Sequence, residues 1–166
     1  MYQKLIPDLF ADTIYDIDIE YLKKKGIHNL VIDIDNTIVP QKIKFPDKKA
    51  IEWFKYLKAN GFKICLISNN TKRRVNEFRI YIEVPAISWA VKPRKGAFKK
   101  ALRILDAKPE ETALIGDQIF TDILGGRRTG LFTILVKPIS KEEFGWTKFV
   151  RKAERHILKR MKENEG

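Results

Sequence analysis

Cysteine is almost missing from this chain. Cys65 stands alone among 166 residues, which excludes an internal disulfide and any zinc site built from several thiolates. Long apolar runs are missing as well. The longest, such as Ile64-Cys65-Leu66-Ile67 and Ile134-Leu135-Val136, are strand-sized, whereas a membrane-spanning helix needs about 20 apolar residues. Lys4, Pro7 and Asp8 interrupt the first ten residues, where a secretory leader would carry its apolar stretch. His28 and His156 are too far apart to read as a metal pair. Neither a Walker phosphate loop nor a Gly-x-Gly-x-x-Gly dinucleotide loop occurs. There is no internal repeat and no Ser/Gly linker. The expectation is a cytoplasmic protein with a single domain over residues 1–166.

What the chain does have is positive charge. Thirty-three Lys and Arg against 21 Asp and Glu give +12 with histidines neutral. Such a balance suits polyanionic surroundings: nucleic acid, anionic lipid or a phosphorylated substrate. Charge alone does not choose among them.

Hydrophobic segments alternate in type along the chain. Leu30-Val31-Ile32 is a strand running into Asp33, and Asp47 can cap a helix carrying Ala50, Ile51, Phe54 and Leu57 on one face, with Gly61 as its stop. Strands are expected at Phe62–Ile67, Ile87–Ala90, Thr112–Ile115 and Leu131–Val136, and helices at Arg73–Arg79, 96–106 and about Asp122–Arg128. This order implies an α/β fold with a central parallel sheet and helices on both faces, its core over about residues 26–140. Ligands of such sheets bind beyond the carboxyl ends of the strands. Reading each strand to that end gives Asp33-Ile34-Asp35-Asn36-Thr37, then Ser68-Asn69, then Lys92, then Gly116-Asp117.

Two carboxylates as close as Asp33 and Asp35 repel unless a cation lies between them, and hard oxygen ligands suit Mg²⁺. Asp117 could add a third ligand, with Asp122 about one helical turn further on. Lys92 would balance the charge and hold a phosphoryl oxygen, while Ser68 and nearby N–H groups donate to the others. Asn36 and Asn69 are candidate substrate-binding side chains beside them. Taken singly these are turn and cap residues. Together, in this order, they form a phosphoryl-transfer site.

The pattern Asp33-x-Asp35-x-Thr37, Ser68, Lys92 and Gly116-Asp117-xxxx-Asp122 resembles the four ordered motifs of the haloacid dehalogenase (HAD) superfamily of phosphatases. The resemblance implies that Asp33 attacks phosphorus and that Asp35 protonates the leaving group and then activates water. Thr37 and Ser68 would position phosphoryl oxygens, and Lys92 would stabilise the phosphorylated intermediate. Mg²⁺ would be held by Asp33, the Asp35 carbonyl and Asp117, with Asp122 ligating through water or supporting from behind. Leu5-Ile6-Pro7, Gly26-Ile27, Asp33 through Pro40 and Asp117-Gln118-xx-Thr121-Asp122-xx-Gly125-Gly126 are in turn similar to the bacterial YqeG family. That family is a capless branch related to the mitochondrial phosphatidylglycerophosphate phosphatase.

Only 30 residues separate Thr37 from Ser68 and 23 separate Ser68 from Lys92, too few for a cap domain. The site should therefore be open, with at most a flap at Val39–Phe45. The resemblance implies phosphatidylglycerophosphate as substrate, and a protein that is peripheral on an anionic membrane. Two features bear on this. A basic amphipathic helix is expected over about residues 142–163, with Trp146, Phe149, Val150, Ala153, Ile157 and Met161 near one face, able to lie on a bilayer or pack on the domain. Basic residues Lys92, Arg94, Lys95, Lys99 and Lys100, with Lys72, Arg73 and Arg74, are expected around the site mouth. The alternatives are a phosphatase for soluble nucleotides, sugar phosphates or phosphoproteins, and a basic RNA- or ribosome-binding module. Against the latter, the interleaved aromatic and basic pattern of single-strand binders is absent.

Overall fold

A computed structural model of the protein describes residues 2–140 and 145–163. Six strands form one sheet: β1 (Leu9–Ala11), β2 (Asn29–Asp33), β3 (Lys63–Ile67), β4 (Ala86–Ile87), β5 (Thr112–Gly116) and β6 (Phe132–Val136). Their order is β1-β6-β5-β2-β3-β4, and every pairing is parallel. The central strand β2 is buried along its whole length, as a parallel strand covered on both faces should be.

The two faces follow from side-chain alternation. Leu30, Ile32, Ile64 and Leu66 point into one core with Phe54, Leu57, Val75 and Phe78 of α2 (Lys48–Ala59) and α3 (Lys72–Arg79). Val31, Cys65 and Ile67 point into the other, against Phe98, Ala101 and Leu105 of α4 (Lys95–Leu105). The short α1 (Ile19–Lys24) contributes Leu22 to the first core, and α5 (Leu124–Thr129) leads back into β6. The α2 cap is as expected, with Asp47 Oδ1 accepting from Ala50 N at 2.8 Å. The crossover between β3 and β4 carries α3 alone, and the β2–α2 connection is a loop tied by an Asp35–Val39 bridge. Neither holds an inserted cap.

Four elements depart from the sequence expectation. β1 and α1 lie ahead of the expected core. β1 joins the sheet edge because Asp8, just before it, accepts from Thr133 N at 2.8 Å and pairs with Arg127 at 2.7 Å. The fourth strand ends at Ile87 rather than Ala90, since Trp89 (φ 49°) and Val91 (φ 53°) adopt left-handed backbone. The helix expected at Asp122 opens with a wide π-type turn over Ile119–Ile123 before α5 begins.

The last helix, α6 (Gly145–Glu163), sits on the core. Ile157 and Leu158 pack against Leu5, Ile119, Ile123 and Leu135. Phe144 and the side chains of Trp146, Phe149, Val150, Ala153 and Met161 lie outside the described residues. Among the described residues no helix is long and apolar enough to cross a membrane.

Candidate active site

Four strand ends deliver the site. Asp33 closes β2, Ser68 follows β3, Lys92 follows β4, and Asp117 follows β5. Because all strands are parallel, these positions share one edge of the sheet, where a cleft of about 540 Å³ is walled by Asp33, Asp35, Asn36, Ser68, Asn69, Lys92 and Asp122 among others. The left-handed turns at Trp89 and Val91 lead the chain into Lys92, whose N–H donates to Asn69 Oδ1 at 2.8 Å. The Lys92 ammonium is buried and donates to Asp33 Oδ1 and Asp122 Oδ1, each at 2.6 Å.

Asp117 completes a trio. Carboxylate oxygens of Asp33, Asp117 and Asp122 lie within 4.8 Å of one another, and all three residues are buried. The Thr37 hydroxyl sits between two of them, 2.9 Å from Asp33 Oδ2 and 3.1 Å from Asp117 Oδ1, and its single proton serves one at a time. Gly116 permits the approach of Asp122, because a Cβ there would lie 2.4 Å from the Asp122 carboxyl carbon. Gly125 plays the same part behind the site, where a Cβ would meet the Phe98 ring at 2.3 Å.

The electrostatics reflect crowding away from water. Burial raises the Asp117 pKa well above the usual carboxylate range, and Asp33 adds to this while Arg151 opposes it. Burial likewise raises Asp122, to about 6, although Lys92 pulls it down. For Lys92 burial works to lower the pKa, but Asp122 and Asp33 outweigh it and hold the ammonium above the ordinary lysine value. Three carboxylates this close, with oxygen ligands of hard character, fit a divalent cation.

Asp35 lines the same cleft but has other partners. Its Oδ1 accepts from Arg74 Nη2 at 3.1 Å and its Oδ2 from Asn70 Nδ2 at 3.3 Å. Arg74 also donates to the carbonyls of Ile43 (2.6 Å) and Lys44 (2.7 Å), clamping the 40–45 loop to α3. Of the basic cluster, Arg74 is thus engaged beside the cleft, and the exposed Arg73 pairs with Glu77 at 3.0 Å. Arg94, Lys95, Lys99 and Lys100 remain on the surface. Asn36 holds a left-handed turn (φ 60°), and its buried Oδ1 accepts no hydrogen bond among the described residues. Ser68 Oγ accepts from Asn70 N at 3.0 Å, while Asn69 is exposed.

One residue at the site escaped the sequence reading. Arg151 of α6 donates to the Asp117 backbone carbonyl and to Asp117 Oδ2, and to Glu154 Oε2 at 3.3 Å. Helical periodicity places Arg151 on α6, but nothing in the motif spacing aims it at Asp117.

Comparison with known proteins agrees with this geometry. Residues 90–140 match the HAD-hydrolase-like family. The chain is 40% identical to the probable phosphatase YqeG of Bacillus subtilis, covering 95% of this chain and 91% of that protein. It is 30% identical to phosphatidylglycerophosphate phosphatase 1 of Arabidopsis thaliana across 95% of its own length, but spans only 48% of the plant enzyme. Among solved structures, the fold matches the deoxy-D-mannose-octulosonate 8-phosphate phosphatase YrbI of Haemophilus influenzae with a TM-score of 0.58 at 14% identity, over 82% of this chain and 90% of that one. A HAD subfamily III A hydrolase of Legionella pneumophila matches with a TM-score of 0.53 at 20% identity, over 89% and 91%. The sequence identity to the Bacillus protein over nearly the whole of both chains, on a capless parallel sheet with its acidic cluster at the strand ends, makes this chain a member of the YqeG family of HAD phosphatases, a phosphoric monoester hydrolase acting on a phosphorylated substrate.

Proposed function

We propose that this protein is a Mg²⁺-dependent phosphatase that removes the terminal phosphate of phosphatidylglycerophosphate, with Asp33 as nucleophile. The observation that carries the mechanism is the divergence of the two strand-end aspartates. Asp33 is fixed by Lys92 and Thr37 inside the acidic trio, whereas Asp35, on the same cleft, is held by Arg74 and Asn70. Two carboxylates in different surroundings can take different tasks.

In this reading an Asp33 oxygen attacks phosphorus, and the bond to the lipid oxygen breaks as Asp35 gives that oxygen its proton. Asp35 then takes a proton from water, whose oxygen attacks the aspartyl-phosphate and releases phosphate with Asp33 regenerated. Lys92 and Ser68 hold phosphoryl oxygens, with Thr37 fixing Asp33, and Asn36 and Asn69 line the entry. Asp33, the Asp35 carbonyl and Asp117 would hold Mg²⁺, with Asp122 supporting. When bound, the ion neutralises charge on the phosphoryl oxygens.

The lipid assignment rests on the plant relative and on the open cleft. Exposed Trp89 lines the cleft and exposed Val91 follows it in the same loop, so an apolar ring stands at an opening without a cap. The same surface supports a reading of peripheral attachment to an anionic bilayer. Ile157 and Leu158 of α6 pack on the core beside the site.

The test is phosphate release from phosphatidylglycerophosphate in mixed micelles with Mg²⁺, beside a panel of soluble esters. Asp33→Asn should lower turnover at least about 1,000-fold, and a chelator should abolish it. Turnover confined to soluble esters would keep the chemistry and discard the lipid.

A further inference from the structure

We infer that Arg151 is a positioning residue for the divalent-ion site, and that α6 is thereby part of the catalytic apparatus. Its guanidinium takes both the main-chain carbonyl and Oδ2 of Asp117. Holding a residue by backbone and side chain at once fixes the side-chain rotamer, which a single contact would leave free to turn. The other carboxylate oxygen, Oδ1, lies 3.1 Å from the Thr37 hydroxyl. Glu154, one helical turn along α6, braces the arrangement: Oε2 accepts from Arg151 and Oε1 from Phe120 N at 3.3 Å. Arg151 and Glu154 are both buried on a helix otherwise rich in exposed charge.

Burying a guanidinium and a carboxylate in a helix–core contact is costly unless both are fully used. An apolar pair would anchor α6 at less cost, as Ile157 and Leu158 do nearby. The charged pair is accounted for by what it touches: Asp117, a buried member of the trio. Carboxylates that ligate metals are commonly oriented by an outer hydrogen-bond partner whose loss weakens ion binding about 10–100-fold. Arg151 has that relation to Asp117. It is not among the residues that wall the cleft, so it acts through Asp117 rather than on the substrate.

Calorimetric titration of the full-length protein with Mn²⁺, without substrate, tests this directly. Arg151→Ala should bind Mn²⁺ about 10–100-fold more weakly than wild type. Arg151→Lys keeps the charge but loses the two-pronged fork and should recover only part of that loss. Glu154→Gln should weaken Mn²⁺ binding by a smaller factor. Circular dichroism checks that each variant is folded. If Arg151→Ala fails to fold, Arg151→Lys and Glu154→Gln carry the test. Wild-type affinity in folded Arg151 variants would overturn the inference. Tighter binding would also overturn it, by making Arg151 a competitor of the ion.

Discussion

Lys92 and Arg151 both neutralise the buried carboxylate trio, but they reach it by different routes. Lys92 comes from the loop after β4, its backbone tied to Asn69 after β3, and bridges Asp33 to Asp122. Arg151 comes from α6, 34 positions beyond Asp117 in the chain, and clasps Asp117 from behind. The first half of the site is made by strands and the loops that end them, so it is as rigid as the sheet. The second half depends on a helix docked through Ile157, Leu158 and Glu154. A reaction centre is thus built on the sheet and trimmed by a peripheral helix.

The largest effect should come from the sheet-borne half. Lys92→Met leaves Asp33 and Asp122 facing each other without their shared cation, and breaking such a buried pair costs about 3–5 kcal/mol. Urea melts should show that loss in metal-free protein and a smaller one with saturating Mg²⁺, alongside a collapse of turnover. Equal losses with and without Mg²⁺ would break the idea that Lys92 and the ion share one task. The helix-borne half should respond differently. Arg151→Ala should lose activity at low Mg²⁺ and regain most of it at saturating Mg²⁺, whereas Lys92→Met should not recover. If both variants recover alike, the distinction between the two halves fails.

A smaller effect separates geometry from charge. Gly116→Ala adds a Cβ that would fall 2.4 Å from the Asp122 carboxyl carbon. Overpacking of this kind costs about 1–3 kcal/mol, and the displaced Asp122 should reduce turnover without changing any charge. Thermal melts and rates together would show this; an unaltered rate would mean that Asp122 need not sit where Lys92 meets it.

The smallest test leaves the charges alone and probes the apolar floor beneath them. Burial pushes the Cys65 thiol up to about 12, against a slight lowering by Lys100. Its ordinary value is 9.0, so the folded pKa is raised. The stability this contributes is complete below about pH 9 and is lost as pH climbs towards 12. Urea stability of wild type should therefore fall more steeply above pH 9 than that of Cys65→Ala. Parallel slopes would place the thiol in contact with water.

Much of this was legible in the sequence, for local reasons. The α2 cap at Asp47, the all-buried run Asn29–Asp33 and the polar residue after each strand are set by neighbours in the chain, through capping and side-chain period. A parallel sheet then converts strand ends into a site, which is why Asp33, Lys92, Asp117 and Asp122 are legible in the sequence. β1 was harder to see, since three residues carry no period and their place depends on Asp8 meeting Thr133 at a distance of 125 positions. Ile87–Ala90 reads as a longer fourth strand because it is largely apolar, whereas left-handed backbone at Trp89 and Val91 accompanies the end of the strand at Ile87.

By itself, the sequence determined the order of strands and helices from β2 to β6, the lack of a cap, and which acids and which lysine follow the strand ends. These follow from periodicity and from the single sense in which parallel crossovers wind. Only the tertiary structure decided that Asp33 and Asp35, two positions apart, serve different surroundings, that Arg74 is bound up with the 40–45 loop, and that Arg151 reaches Asp117. Each is a contact between residues whose separation in the chain carries no pattern, so packing alone selects it.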